Sequence, residues 1–216
     1  LEFRRVLFRS QWFASTGKTN WSTPQRELAL VRRVDAIVRG LEQGRIGFDP
    51  CSNPFAEPLV DAVGACMLER GENGLSRSWR GHGMVFWNPP YGKGEVEQFT
   101  AKNARDFGGE RRPLLGVDQS IGLVPANTET RWYHRDIVKQ ADATCLREGR
   151  IGFIDPATGQ EVDESTVKNL YVYSGDHADV FLQVFEEAGD ARLTKAGARR
   201  LLARGLDAVL LDILSK

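Results

Sequence analysis

An α/β fold is what the sequence predicts, on three observations. The apolar run Met84-Val-Phe-Trp87 has the composition of a buried strand, and the prolines of Asn88-Pro-Pro-Tyr91 stop it, because neither can donate to a ladder and both fix φ. Arg45-Ile-Gly-Phe48 is a second short strand candidate, running into the compact turn Asp49-Pro-Cys-Ser-Asn-Pro54. Elsewhere short apolar strands alternate with stretches of helical spacing, and no repeat, low-complexity tract or linker divides the chain. Ligands in open α/β sheets bind at the carboxyl ends of strands, so Asp49 and Asn88 mark the candidate site.

The 216 residues suit one domain of moderate size with small extensions. Hydrophobic content of 41% and charged content of 27% are those of a globular protein, and no apolar run reaches membrane-spanning length. Lys plus Arg and Asp plus Glu both total 29, so affinity for nucleic acid has to come from a local basic face. Cys51, Cys66 and Cys145 are odd in number and lack metal-ligand spacing, and His82, His134 and His177 are equally scattered. Reduced thiols in a cytoplasmic setting, and no metal site, are therefore expected.

In chain order, residues 1–10 read as a non-native leader, with the native frame entering near Gln11. Gly17-Lys-Thr19 resembles the end of a phosphate-binding loop, but Trp12 stands where that motif requires glycine. Thr23 as N-cap and Pro24 at the first helical position open a helix carried by Leu28, Leu30, Val31, Val34, Ile37 and Val38 and ended by Gly40. Residues 55–80 show little apolar periodicity, and Gly71 to Trp79 is a glycine-rich loop anchored by Trp79. Glu95 to Phe107 is predicted as a crossover helix, with Val96, Phe99 and Ala104 inward and Gly108-Gly109 at its end.

Pro113 to Pro125 holds one interrupted strand or two short ones, at Leu114-Leu115 and Ile121 to Val124. Asn127 to His134 either offers phosphate contacts and stacking aromatics or begins a helix capped by Thr128 or Thr130, with Trp132 packed inside. Ala143 to Ile154 has strand character, turning at Gly149-Arg150, where Arg150 is a candidate phosphate contact. Leu170 to Tyr173 is the final strand expected, and Ala178 to Ala188 a helix. From Ala191 the tail repeats Leu and Ala at helical spacing. The organisation expected is thus a leader at 1–10, one domain at 11–190 and an amphipathic helix at 191–216.

The loop after Trp87 suits one chemistry. An exocyclic aromatic amine is a poor nucleophile because its lone pair is delocalised, and acceptors taking both N–H hydrogens favour a more tetrahedral, reactive nitrogen. Asn88 Oδ1 and the Pro89 carbonyl are two such acceptors, and Tyr91 offers a face on which the base or amide stacks. Asp49, at the end of its own strand, can accept hydrogen bonds from the polar groups of a nucleoside cofactor, or simply close an Asx turn.

The series Thr23-Pro24, Asp49-Pro-Cys-Ser52, Asn73-Gly-Leu75 with Trp79, Asn88-Pro-Pro-Tyr-Gly92, Leu123-Val-Pro125, Thr130-Arg-Trp132 and Gly149-Arg150 resembles the phage-type, Dam-like DNA N6-adenine methyltransferase family. The resemblance spans roughly residues 20 to 188 and departs from other adenine methyltransferases in lacking Gly-x-Gly at the cofactor loop. It implies a Rossmann-like methyltransferase fold with a central, mostly parallel sheet flanked by helices, S-adenosylmethionine as cofactor and DNA as substrate. By that resemblance Asn88, Pro89, Pro90 and Tyr91 are catalytic, and Thr23, Pro24, Asp49, Pro50, Cys51 and Ser52 bind the cofactor. Lys93, Arg131, Trp132 and Arg150 are the expected DNA contacts. The family's setting is the cytoplasm of a bacterium or a phage-infected cell. The same loop also serves methylation of an RNA base or a protein glutamine amide, and an inactive DNA-binding relative would keep the fold.

Overall fold

The computed structural model describes residues 21–108, 116–162 and 167–203. The expected leader, Gly17-Lys18-Thr19, Gly109, Leu114-Leu115 and the tail past Ala203 lie outside the described residues. Among these residues five α-helices, α1 (Gln25–Arg39), α2 (Glu57–Val60), α3 (Glu95–Phe107), α4 (Ala178–Phe185) and α5 (Lys195–Ala203), accompany seven strands. The strands are β1 (Phe48–Ser52), β2 (Gly64–Met67), β3 (Met84–Trp87), β4 (Gln119–Pro125), β5 (Ala143–Arg147), β6 (Asn169–Ser174) and β7 (Gly189–Leu193). They form one mixed sheet in the order β2-β1-β3-β4-β6-β5-β7, flanked by helices.

The strands explain why their sequences lack polar alternation. Met84 and Phe86 of β3 face a core shared with α1 and α4, whereas Val85 and Trp87 face a second core shared with α3. A strand covered on both faces has no solvent side, so β3 and β4 are buried throughout. Gly122 of β4 is needed for this packing: a Cβ there would lie 2.2 Å from the Trp87 ring. Behind Trp87 a closed polar chain runs from its Nε1–H to Ser120 Oγ (2.9 Å), from Ser120 to Asn103 Oδ1 (2.7 Å), and from Asn103 Nδ2 to Ser174 Oγ (3.1 Å).

The expected mostly parallel sheet is found in one half only. β1–β2, β1–β3 and β3–β4 are parallel, but β4–β6, β6–β5 and β5–β7 are antiparallel. The connection from β5 to β6 carries no helix among its described residues, and without a crossover two neighbouring strands pair antiparallel. β6 is therefore not the last strand. Residues 189–193, expected to lead into or begin a helix, form β7 on β5, with Ala191 and Leu193 packed against the first core and Asp190 and Arg192 outward. That period of two is the mark of a strand, and it moves the tail helix's start to Lys195 and places the expected boundary at residue 190 inside the sheet.

Three further expectations shift. β1 contains Asp49-Pro-Cys-Ser52 instead of ending before it, with Pro50 accommodated where the ladder to β2 slips between Asp49 and Ser52. β2 was not legible, its Gly-Ala-Cys-Met being short and small. α1 starts at Gln25 behind Pro24, and Thr23 makes no cap. Its other end follows the sequence: Gly40, at φ 64°, and Leu41 donate to the carbonyls of Ile37 and Ala36. α3 has the predicted bounds.

Candidate active site

Asn88 leaves the carboxyl end of β3 into a cleft bounded by Trp21, Thr23, Asp49, Cys51 and Asn53, about 240 Å³ including its open mouth. Its Nδ2 donates to Thr23 Oγ1 at 3.1 Å. Its Oδ1 is buried and has no hydrogen-bond partner among the described residues. It is an acceptor open to an N–H donor, and the Thr23 hydroxyl, which caps no helix, holds the other end of the amide.

Thr23 is itself held by its neighbours. Ser22 exchanges two backbone hydrogen bonds with Ile154 (3.1 and 2.9 Å), laying residues 151–155 alongside. One turn into α1, the buried Glu27 accepts from Tyr171 Oη at 2.5 Å, from Arg147 Nε and Nη2 at 3.2 Å each, and from Arg26 at 3.3 Å. Arg26 also pairs with Glu161 through two short hydrogen bonds. α1's first turn is thus tied to β5, β6 and the 151–162 segment.

Asp49 is buried, with Oδ1 accepting the Cys51 backbone N–H at 3.1 Å. Burial pushes its carboxyl up to about 6, and that N–H only partly opposes the shift. Burial also pushes the Cys51 thiol up, with the neighbouring Asp49 adding to it, so Cys51 is a neutral wall and not a nucleophile. Pro50 is fixed from behind: a Cβ on Gly74 would fall 1.8 Å from its carbonyl oxygen, and the Gly74 carbonyl accepts Trp79 Nε1–H at 2.9 Å. Trp79 anchors that loop, as its sequence suggests, fully buried against Trp87 and Phe99.

At the other end of the loop, Tyr91 Oη accepts Asn169 Nδ2 at 3.0 Å, and its ring meets Phe153 edge-on at 6.3 Å and 87°. Burial raises its phenol further above the ordinary tyrosine value. The structure thus brings Thr23, Asp49, Cys51 and Asn88 together around one cleft, with Pro24, Pro50 and Ser52 buried beside them and Pro89, Pro90 and Tyr91 continuing the loop. Sequence reasoning missed Asn169, Phe153, Glu27, Trp21 and Asn53. Asn169 stands 78 residues from Tyr91, and only the antiparallel pairing of β6 with β4 brings it near.

Of the expected DNA contacts, Lys93, Arg131 and Arg150 are exposed. Trp132 is not: it is 9% exposed, packed in the second core against Tyr133, ahead of a π-helical turn (Tyr133–Val138). The Thr130 hydroxyl accepts the Tyr133 N–H at 3.4 Å, so this stretch takes the helix-start reading. Arg135, in that turn, is committed to Asp136 and Glu97. Among the described residues there is no group of His, Cys, Asp and Glu that could hold a metal, and no helix long and apolar enough to cross a membrane.

No curated protein and no solved structure matches the chain. The model of the DNA N-6-adenine-methyltransferase (Dam) family matches residues 56–181, taking in β2 through β6 and the Asn88–Tyr91 loop. With more than half of its length under that one model, the chain belongs to the DNA N-6-adenine-methyltransferase (Dam) family.

Proposed function

We propose that this chain transfers a methyl group from S-adenosylmethionine to N6 of adenine at specific sites in DNA, through a catalytic loop formed by Asn88, Pro89, Pro90 and Tyr91. The family supplies the reaction, and the observation that carries the loop assignment is the unpartnered, buried Asn88 Oδ1 at the cleft. A buried acceptor left unpaired costs about 1–3 kcal/mol, a cost an arriving amine donor removes. The parallel half of the sheet, with α1 and α3 on opposite faces, supports a Rossmann-like reading of the fold.

The residues of the cleft fit the cofactor. Asp49 is an acceptor for an ammonium or ribose hydroxyl, and its raised pKa marks a carboxylate lacking a cationic neighbour. Thr23, Pro24, Pro50, Cys51 and Ser52 would hold the rest of the group. The enclosed part of the cleft, about 20 Å³, is far smaller than the roughly 300–1,000 Å³ of ordinary ligand pockets, so cofactor binding requires these walls to part. When bound, S-adenosylmethionine supplies an electrophilic sulfonium methyl.

The chain's own residues do the remainder. An adenine in a duplex hides its N6 edge, so it is flipped out at a cost of a few kcal/mol, and Tyr91 receives it by stacking. Asn88 Oδ1 and the Pro89 carbonyl accept the two N6 hydrogens, localising the nitrogen lone pair and holding it in line, where proximity supplies much of the rate. One of these hydrogens leaves to solvent as a proton once the nitrogen has acquired its fourth bond. Lys93, Arg131 and Arg150 contact phosphates. Free Cys51, Cys66 and Cys145 support a cytoplasmic setting.

Methyl transfer from labelled S-adenosylmethionine to unmethylated duplex DNA, with the modified nucleoside identified after digestion, tests the proposal. N6-methyladenine is expected with the native chain and at least about a hundredfold less with Asn88→Ala, whose cofactor binding stays close to native. Normal turnover by Asn88→Ala would overturn the assignment.

A further inference from the structure

We propose that Asn169 is a positioning residue for this reaction: its side-chain amide fixes the phenol of Tyr91, and with it the plane on which the target base stacks. The inference rests on the assignment of Asn88–Tyr91 as the catalytic loop. β4 runs parallel to β3, so its last residue, Pro125, lies on the same carboxyl rim as Asn88. β6 runs the other way, and its first residue, Asn169, pairs with Pro125. Antiparallel pairing therefore delivers an amide to the rim from the start of a strand, where a parallel neighbour would deliver its end.

The contacts of that amide are unlike those of a structural one. Asn103, also buried, uses both ends of its side chain in the closed chain between Ser120 and Ser174. Asn169 is fully buried too, yet it donates to Tyr91 Oη at 3.0 Å while its Oδ1 finds no partner among the described residues. The amide is thus committed to the catalytic loop. A tyrosine ring turns about two side-chain torsions, and edge contact with Phe153 constrains its body without fixing its tip. The hydrogen bond fixes the tip, so the stacking face is set before the base arrives.

The test uses the full chain, unmethylated duplex DNA and labelled S-adenosylmethionine, with Asn88→Ala, Tyr91→Phe, Asn169→Ala, Asn169→Leu and the double variant Tyr91→Phe/Asn169→Ala. Asn169→Ala is expected to lower kcat about tenfold with little change in KM for the cofactor. Tyr91→Phe, which keeps the ring and removes the other half of the hydrogen bond, is expected to lose a similar factor, and the double variant no more than either single one. A kcat for Asn169→Ala within about twofold of native, or losses that multiply in the double variant, would overturn the proposal. Asn169→Leu fills the volume without the donor and serves where the alanine variant does not fold. If neither folds, Tyr91→Phe decides alone, an unchanged kcat sinking the idea. Transfer that survives Asn88→Ala rejects the loop assignment itself. An inactive Asn88→Ala beside unaffected Tyr91→Phe and Asn169→Ala rejects only the role of Asn169.

Discussion

Asp49 shows how one buried side chain ties stability to the site. Its carboxyl is ordinary at 3.8 when unfolded and is pushed up to about 6 by burial when folded, so between those values the folded chain binds the proton more tightly. Stability therefore falls as pH rises from about 4 to 6, and above that the buried charge costs on the order of 3 kcal/mol. Asp49→Asn is expected to unfold at higher urea concentration than the native chain at pH 8, with the difference shrinking toward pH 4; equal midpoints at both pH values would place the charge in solvent. The stabilised variant should bind cofactor more weakly, since a neutral amide cannot pair with an ammonium. Asp35 is a second buried carboxyl raised by burial, distant in role, and it leaves a residual pH dependence in that variant.

At the scale of elements, the site is a meeting of ends. β3 supplies Asn88, β1 supplies Asp49, β6 supplies Asn169, and the approach to α1 supplies Thr23. Glu27 joins α1 to β5 and β6, so the start of the helix cannot shift without stripping the buried Glu27 carboxylate of its partners Arg147 and Tyr171. Strand packing is equally tight. Gly122→Ala puts a methyl group 2.2 Å from the Trp87 ring, one residue before Asn88. It is expected to lower stability by about 1–3 kcal/mol in urea unfolding and to lower kcat as well, since Trp87 cannot move without moving the loop. A fully stable, fully active variant would show that β3 and β4 separate freely.

Over the whole molecule, a formal net charge of zero leaves DNA affinity to local cations. Replacing Lys93, Arg131 and Arg150 by Gln, one at a time, is expected to reduce the slope of log affinity against log salt concentration by roughly 0.9 for each phosphate no longer neutralised, measured by titration of a fluorescent duplex. An unchanged slope would move the DNA surface elsewhere. The parts of this molecule legible in the sequence were those with local causes. Two prolines mark the end of β3, glycine the end of α1, and apolar spacing all of α3. The strand directions past β4, the edge strand β2, the partnership of Thr23 with Asn88 and that of Asn169 with Tyr91 have no local cause. Each depends on pairing or contact between residues far apart in the chain, and Trp132 misled because an aromatic beside an arginine reads alike whether packed or exposed.

The alternation of β3 between two cores has one more consequence. Met84 and Phe86 belong to one side, Val85 and Trp87 to the other, and Asn88 takes its direction from that count. Inserting or deleting a single residue within β3 would exchange the two faces and swing the Asn88 side chain to the opposite side of the sheet. The strand therefore acts as a parity device, its length in residues aiming the Asn88 amide as surely as the identity of any side chain.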